Sequence, residues 1–184
     1  MPDPQPAWAT RLAAEFLASD ARAIALAKPL TTVQLNWRPS PTQWSIGQCL
    51  DHLLVANTVY LPPIAASLER AARVAVEEIT PGWFGGWFLR TQIAPSSASR
   101  KGKAPKKITP VSEVDGTILE RFLESNEHAR RMIRDASAYD VNHVRFRNPF
   151  VPLIRFTAGT GFEIVSKHQD RHLLQAERVR AAMR

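Results

Sequence analysis

The stretch Trp44-Ser45-Ile46-Gly47-Gln48-Cys49-Leu50-Asp51-His52-Leu53-Leu54 reads as the opening of a helix. Ser45 can accept a hydrogen bond from a free backbone N–H of the first turn, and Gln48 three residues later completes a capping-box pattern. Upstream, Pro39 and Pro41 disfavour helix and remove backbone donors, so Asn36 to Trp44 is predicted as an ordered loop and the helix starts near Ile46. His52 then falls in a segment apolar enough to be buried. A buried imidazole needs a satisfied partner, which is either a backbone carbonyl or a metal ion. The stretch by itself leaves both open.

Working outward, Trp8, Leu12, Phe16, Ile24 and Ala27 recur at helical spacing until Pro29, which defines a first helix over Trp8 to Lys28. The second helix runs from Ile46 towards Tyr60, where Pro62 and Pro63 predict a kink or short break. Its periodicity resumes with Ile64, Leu68, Ala72 and Ala75. From Ile79 to Pro110 the chain turns to Gly, Pro, Ser and Lys, too long for an ordinary connection. Ser112 to Ala136 restores a helix on Val114, Ile118, Phe122, Met132 and Ile133, with Ser112 as its cap. After the break at Asn148 to Pro152, a last helix starts past Thr157 or Thr160. Its inward stripe is Phe162, Val165, His172, Ala176, Val179 and Met183, interrupted at Gln169. No strand alternation and no repeat is evident. The expectation is one all-α domain over residues 1–184, an antiparallel four-helix bundle with a kinked second helix and a long loop at 79–110 before the third.

Composition narrows the function classes. With 184 residues, 45% hydrophobic and 22% charged, the chain has an ordinary globular composition. No apolar run approaches the roughly 20 residues of a membrane span, and the proline-rich start lacks the features of a secretion signal, so a cytoplasmic location is expected. Cys49 is the single cysteine, which rules out an internal disulfide and a cysteine cluster, and leaves nitrogen and oxygen to hold any metal. The net charge of +7 invites a nucleic-acid reading. Its densest run, Arg100, Lys101, Lys103, Lys106 and Lys107, sits among serines, Gly102 and Pro105 as a solvated loop would, without zinc-finger, RNA-binding or recognition-helix patterning.

Two of the five histidines, His168 and His172, stand four apart on the last helix, about 40° around the axis and about 6 Å along it, so both rings can reach one ion. Such a pair is also common on a solvated face. The segment Trp37-Arg38-Pro39-Ser40-Pro41-Thr42-Gln43-Trp44-Ser45-Ile46-Gly47-Gln48, with Asp51-His52-Leu53 after it, resembles the second-helix region of the DinB superfamily, which includes the YfiT-like proteins. Lys167-His168-Gln169-Asp170-Arg171-His172-Leu173-Leu174-Gln175 resembles its last-helix signature, His-x-x-x-His-Leu-x-Gln. Lys103-Ala104-Pro105 and Asn148-Pro149-Phe150 resemble weaker loop features, although Val151 and Pro152 stand where the family often has a glycine. The resemblance implies a DinB-like bundle in which His52, His168 and His172 ligate one divalent ion.

Three neutral imidazoles leave positions open to water or a small-molecule substrate, as in catalytic rather than structural sites. Histidine-only sites accept Zn, Ni, Mn or Fe, and supply decides among them. The resemblance implies either a metal-dependent hydrolase or a transferase using a low-molecular-weight thiol as cosubstrate. A non-catalytic metal-binding or stress-response protein is the alternative, and a nucleic-acid binder using the basic loop a third reading. Gln48 and Gln175, one turn from His52 and His172, are candidates to orient a ligand, with ordinary interhelical bonding as the plainer role. Glu124 and Glu127 could offer a carboxylate but fit the surface better, so no catalytic base is assigned. The aromatic-glycine run Gly82-Trp83-Phe84-Gly85-Gly86-Trp87-Phe88 suits a lid, a packed plug or a homodimer contact, and less well a membrane surface.

Overall fold

A computed structural model describes residues 5–93 and 105–183 of the chain. Arg100, Lys101 and Lys103 of the basic run, and the Lys103-Ala104 part of the loop resemblance, lie outside the described residues. The described residues are mostly helical. Four long helices, α1 (Ala7–Ala27), α3 (Ile46–Leu68), α5 (Ile118–Ala136) and α6 (Ala158–Ala182), are joined by short elements. These are α2 (Thr32–Asn36), α4 (Gly82–Phe88) with a π-helical turn over Leu89–Ile93, a 3₁₀ turn over Lys106–Ile108, and two strands, β1 (Arg145–Arg147) and β2 (Arg155–Thr157).

The helix starts follow from capping chemistry. Ser45 Oγ accepts from Gln48 N at 3.0 Å while Gln48 Oε1 accepts from Ser45 N at 3.1 Å, so both halves of the capping box form at the head of α3. Thr157 performs the same service for α6, its Oγ1 accepting from Thr160 N at 3.2 Å. A second capping box, Thr31 with Gln34, turns part of the segment before Pro39 into α2. Gly47 lies where the chain passes closest to its neighbours: a Cβ there would meet Val114 Cγ2 at 2.3 Å and Leu35 O at 3.0 Å.

Each long helix packs chiefly against two others, α3 against α5 and α6, and α1 against the same pair. Two apolar clusters divide the core. One takes Trp8, Leu12 and Phe16 from α1, Tyr60 and Ile64 from α3, Met132 and Ile133 from α5, and Phe162 and Val165 from α6. The other takes Ala23 and Leu26, then Leu50 and Leu53, Ile118 and Phe122, and Leu173 and Val179 from the same four helices. Along α1 and α6 the first cluster precedes the second, and along α3 and α5 the order reverses. So α1 and α6 run one way, and α3 and α5 the other. The neighbours α3 and α5 are therefore parallel, which the long connection from residue 69 to 117 permits and a short loop would not.

Between the clusters lies a polar layer with one side chain or more from each long helix. Arg130 and Asn126 of α5 both donate to the carboxylate of Asp20 on α1, Asn126 at 2.6 Å. Asn126 also exchanges hydrogen bonds with Gln169 of α6, at 2.6 and 3.2 Å, and accepts from Asn57 of α3 at 3.1 Å. The interruption of the α6 stripe at Gln169 is thus a core position, 1% exposed, whose amide is fully engaged. The buried Asp20 also resets the inward face of α1: Ala23 and Leu26 are buried, and Ile24, expected inside, is 38% exposed.

Other expectations are corrected. The second helix does not break at its prolines: α3 is continuous through Pro62 and Pro63, with Pro62 on its exposed side, and ends at Leu68 short of Ala72 and Ala75. Burial of Tyr60, Leu61 and Ile64 holds the turn despite the missing donors. The helix expected from Ser112 begins at Ile118; Asp115 accepts from Thr117 N at 2.8 Å just before it, and Ser112 stays in the loop, its carbonyl accepting from Gln48. The run Gly82 to Phe88 is a helix rather than a loop, because Phe84 and Phe88, one turn apart, both pack on Phe156. Across Asn148 to Pro152 the chain forms an antiparallel ribbon, Phe146 opposite Phe156, too short for alternation to show in sequence.

Candidate metal centre

The facing stretches of α3 and α6 bring three histidines together. His52 projects from α3, and His168 and His172 from α6, with ring centroids 4.8, 4.4 and 4.6 Å apart for the pairs 52–168, 52–172 and 168–172. One ring nitrogen from each lies within 4.8 Å of the other two, a spacing that could hold one metal ion. His52 and His172 are buried and His168 partly so. The remaining histidines, His128 and His143, are exposed elsewhere, the latter paired with Asp140.

The hydrogen bonds of the rings decide which nitrogens face inward. His52 Nδ1 lies 2.5 Å from Ile108 O, and because a carbonyl only accepts, Nδ1 carries the proton. Nε2 is then a bare lone pair, and it lies 3.1 Å from His168 Nε2. The partner of His52 is thus a backbone carbonyl on one side, and on the other an open nitrogen aimed at its fellow histidines. His172 Nδ1 lies 3.0 Å from Gln175 Oε1, which with the amide oxygen as acceptor leaves its Nε2 free as well. Trp44, the residue before the Ser45 cap, lays its ring 4.7 Å from His52 and 5.6 Å from His172 and walls one side.

The loop that supplies Ile108 is tied down by α3 itself. Asp51 accepts from Val111 N at 2.9 Å, and Gln48 donates to Val111 O at 2.9 Å. Gln48 is thus committed to the helix cap and to this loop, and forms no hydrogen bond to a histidine. Gln175 does contact one. Glu124 and Glu127 lie on the outer side of α5, Glu127 in ion pairs with Arg130 and Arg131. Two surface cavities, one of about 460 Å³ bordered by Glu124 and Arg121 and one of about 240 Å³ beside Trp83 and Phe84, do not include the histidines.

All three imidazoles are held neutral. Burial pushes the His52 pKa down, and pushes His168 well below its usual 6.5. For His172 burial first, then the charge of His52, brings the value to about 3. Neutral nitrogen donors are what a cation requires. The donor set contains no carboxylate.

Sequence reasoning overlooked two contributors. Ile108 O orients His52 from a loop far away in the chain. Arg171 lowers the pKa of all three histidines through its charge. It lies about 60° around the helix from His168, flanking the histidine pair, a signal available from spacing alone.

Comparison with known proteins agrees with this arrangement. No curated protein and no solved structure matches the chain. The profile of the DinB superfamily matches residues 15–176, a span that contains all three histidines, Trp44 and the α6 signature. The chain belongs to the DinB superfamily.

Proposed function

We propose that the protein binds one divalent metal ion through His52, His168 and His172 and is a metal-dependent enzyme acting on a small molecule, as a hydrolase or as a transferase with a low-molecular-weight thiol. The observation that carries this reading is the preset tautomer of two rings: Ile108 O and Gln175 occupy the outer nitrogens of His52 and His172, and one nitrogen from each of the three histidines converges with no acid among them. In this reading the four long helices form a four-helix bundle with a bend of α3 at its two prolines, and the site is built on facing helices of that bundle. Bound there, a divalent ion supplies Lewis acidity towards water, a carbonyl or a thiol, with positions left free by only three protein ligands. The chain's own part is to keep the donors neutral, to fix the ring of His52 from outside, and to exclude water on the Trp44 side.

Elemental analysis of protein purified without a histidine tag, beside His168→Ala, tests the metal reading. Stoichiometric metal in the wild type and its loss in the variant are expected. Wild type that carries no metal and takes up neither Zn²⁺, Ni²⁺ nor Mn²⁺ would overturn it. Thiol transfer to electrophiles and hydrolysis of simple amides and esters then separate the two reactions. Inactivity in all of them would favour a non-catalytic metal-binding protein.

A further inference from the structure

The metal centre is unusual in its charge. Three neutral imidazoles bring nothing to offset a dication, and the spacer between His168 and His172 carries another cation, Arg171, whose charge acts on all three rings, whereas that of Asp51 acts on His52 alone. Around α6 it stands about 60° from His168 and about 100° from His172, with Gln175 between it and the ligands. One guanidinium nitrogen, Nη1, donates to Gln92 O in the π-helical turn at 3.0 Å. The group is half-buried, and among the described residues no carboxylate lies within 4.0 Å of it. The adjacent Asp170 turns away and pairs with Arg22 at 2.8 Å. Asp51, the acid beside His52, is buried and spends an oxygen on Val111 N.

A guanidinium anchored at one corner keeps further N–H groups in a fixed planar fork suited to a carboxylate. Placing such a cation beside a dication, with no carboxylate paired to it, costs free energy unless an anion joins them. A purely structural role, satisfying the Gln92 carbonyl, would be met by any neutral donor and does not call for a charge on the ligand face of α6.

We infer that Arg171 makes the open side of the metal centre a carboxylate-binding site, so that the small molecule acted on there carries a carboxylate. This rests on the metal reading above. Arg171 holds the anion in place and thereby determines specificity.

The test uses the full chain loaded with Co²⁺, whose visible absorption reports changes among its ligands, titrated with acetate and with its neutral isostere acetamide. Wild type is expected to bind acetate in preference to acetamide. Arg171→Gln should weaken acetate about tenfold, the loss of a charge-assisted hydrogen bond, and Arg171→Lys should recover part of it. Acetamide binding should be unmoved, and Co²⁺ affinity without acetate should be equal or tighter in Arg171→Gln, because a repelling charge is gone. A glutamine variant that binds acetate as wild type does overturns the inference alone, as does a fall in Co²⁺ affinity with no change towards acetate. Failure of wild type to take up Co²⁺ overturns the metal reading together with it.

Discussion

His52 Nε2 and His168 Nε2 face each other across 3.1 Å at the junction of α3 and α6. Since the proton of His52 is committed to Ile108 O on its other nitrogen, His52 Nε2 presents only a lone pair to the interior. Protonating these rings is costly because the site is buried, and that has a consequence for stability.

The unfolded chain takes up protons on its histidines below about pH 6.5, whereas the folded, metal-free protein resists until far lower, about 3 for His172. The folded values are depressed, so the contribution is fully present above pH 6.5 and is lost as pH falls towards the folded values. Metal-free protein should lose stability on going from pH 7 to about pH 5, by about 1 kcal/mol per pH unit for each histidine well below its unfolded pKa. Urea midpoints at the two pH values check this. A His168→Gln/His172→Gln variant should show a much flatter dependence; an equal loss would remove the histidines as its source.

The two glutamines that looked alike in sequence should part in experiment. Gln175→Ala removes the acceptor of His172 Nδ1 and should weaken Zn²⁺ binding roughly 10-fold or more with little change in melting. Gln48→Ala removes half of a capping box and the bonds to the 111–112 carbonyls, and should cost about 1–2 kcal/mol of stability while leaving Zn²⁺ affinity much less affected. Competition titration of Zn²⁺ and thermal unfolding of both variants decide it, and a reversed pattern would refute the assignment of roles.

Asp20 and Arg130 form the ion pair of the polar layer, both largely buried. Asp20→Ala leaves a buried guanidinium with only Glu127 as partner and should cost about 3–5 kcal/mol. At this chain length that corresponds to a melting point lower by roughly 6–20 °C. Asp20→Leu/Arg130→Met should recover much of the loss. If Asp20→Ala melts within a degree or two of wild type, the layer does not hold the helices in register as described.

Cys49 lies in the second apolar cluster, 0% exposed, and burial pushes its thiol pKa up to about 12. At pH 8 it is therefore protonated as well as shielded. An aromatic disulfide reagent should leave the native protein unmodified over minutes and label one thiol at once in 6 M guanidinium chloride. Rapid labelling of native protein would contradict the packing of α3.

Much of this was legible in the sequence because it rests on local rules. Ser45 with Gln48 and Thr157 ahead of α6 marked helix starts, since capping needs only neighbours in sequence. The pair His168 and His172 followed from the helical repeat, and His52 from the apolarity of its segment together with the family resemblance. Features depending on distant partners were hidden. A buried Asp20 reads as a break in an apolar stripe until Arg130 and Asn126 are brought to it, and Gln169 reads as an intruder for the same reason. The parallel run of α3 and α5 depends on the path of residues 69–117, which periodicity does not specify.

The sequence by itself determined that the chain is helical, that any metal would be held by nitrogen or oxygen rather than by a cysteine cluster, and that His168 and His172 lie on one helical face. These follow from side-chain type and a fixed repeat. Tertiary structure alone decided that the Nδ1 proton of His52 goes to Ile108 O and leaves its Nε2 free, that Gln48 serves the loop from Val111 to Ser112, and that Arg171 is anchored on the turn holding Gln92. These depend on partners far away in the chain, Ile108 for His52, Val111 and Ser112 for Gln48, and Gln92 for Arg171. Hydrogen bonds between distant segments exist only once packing has paid the entropy of bringing them together.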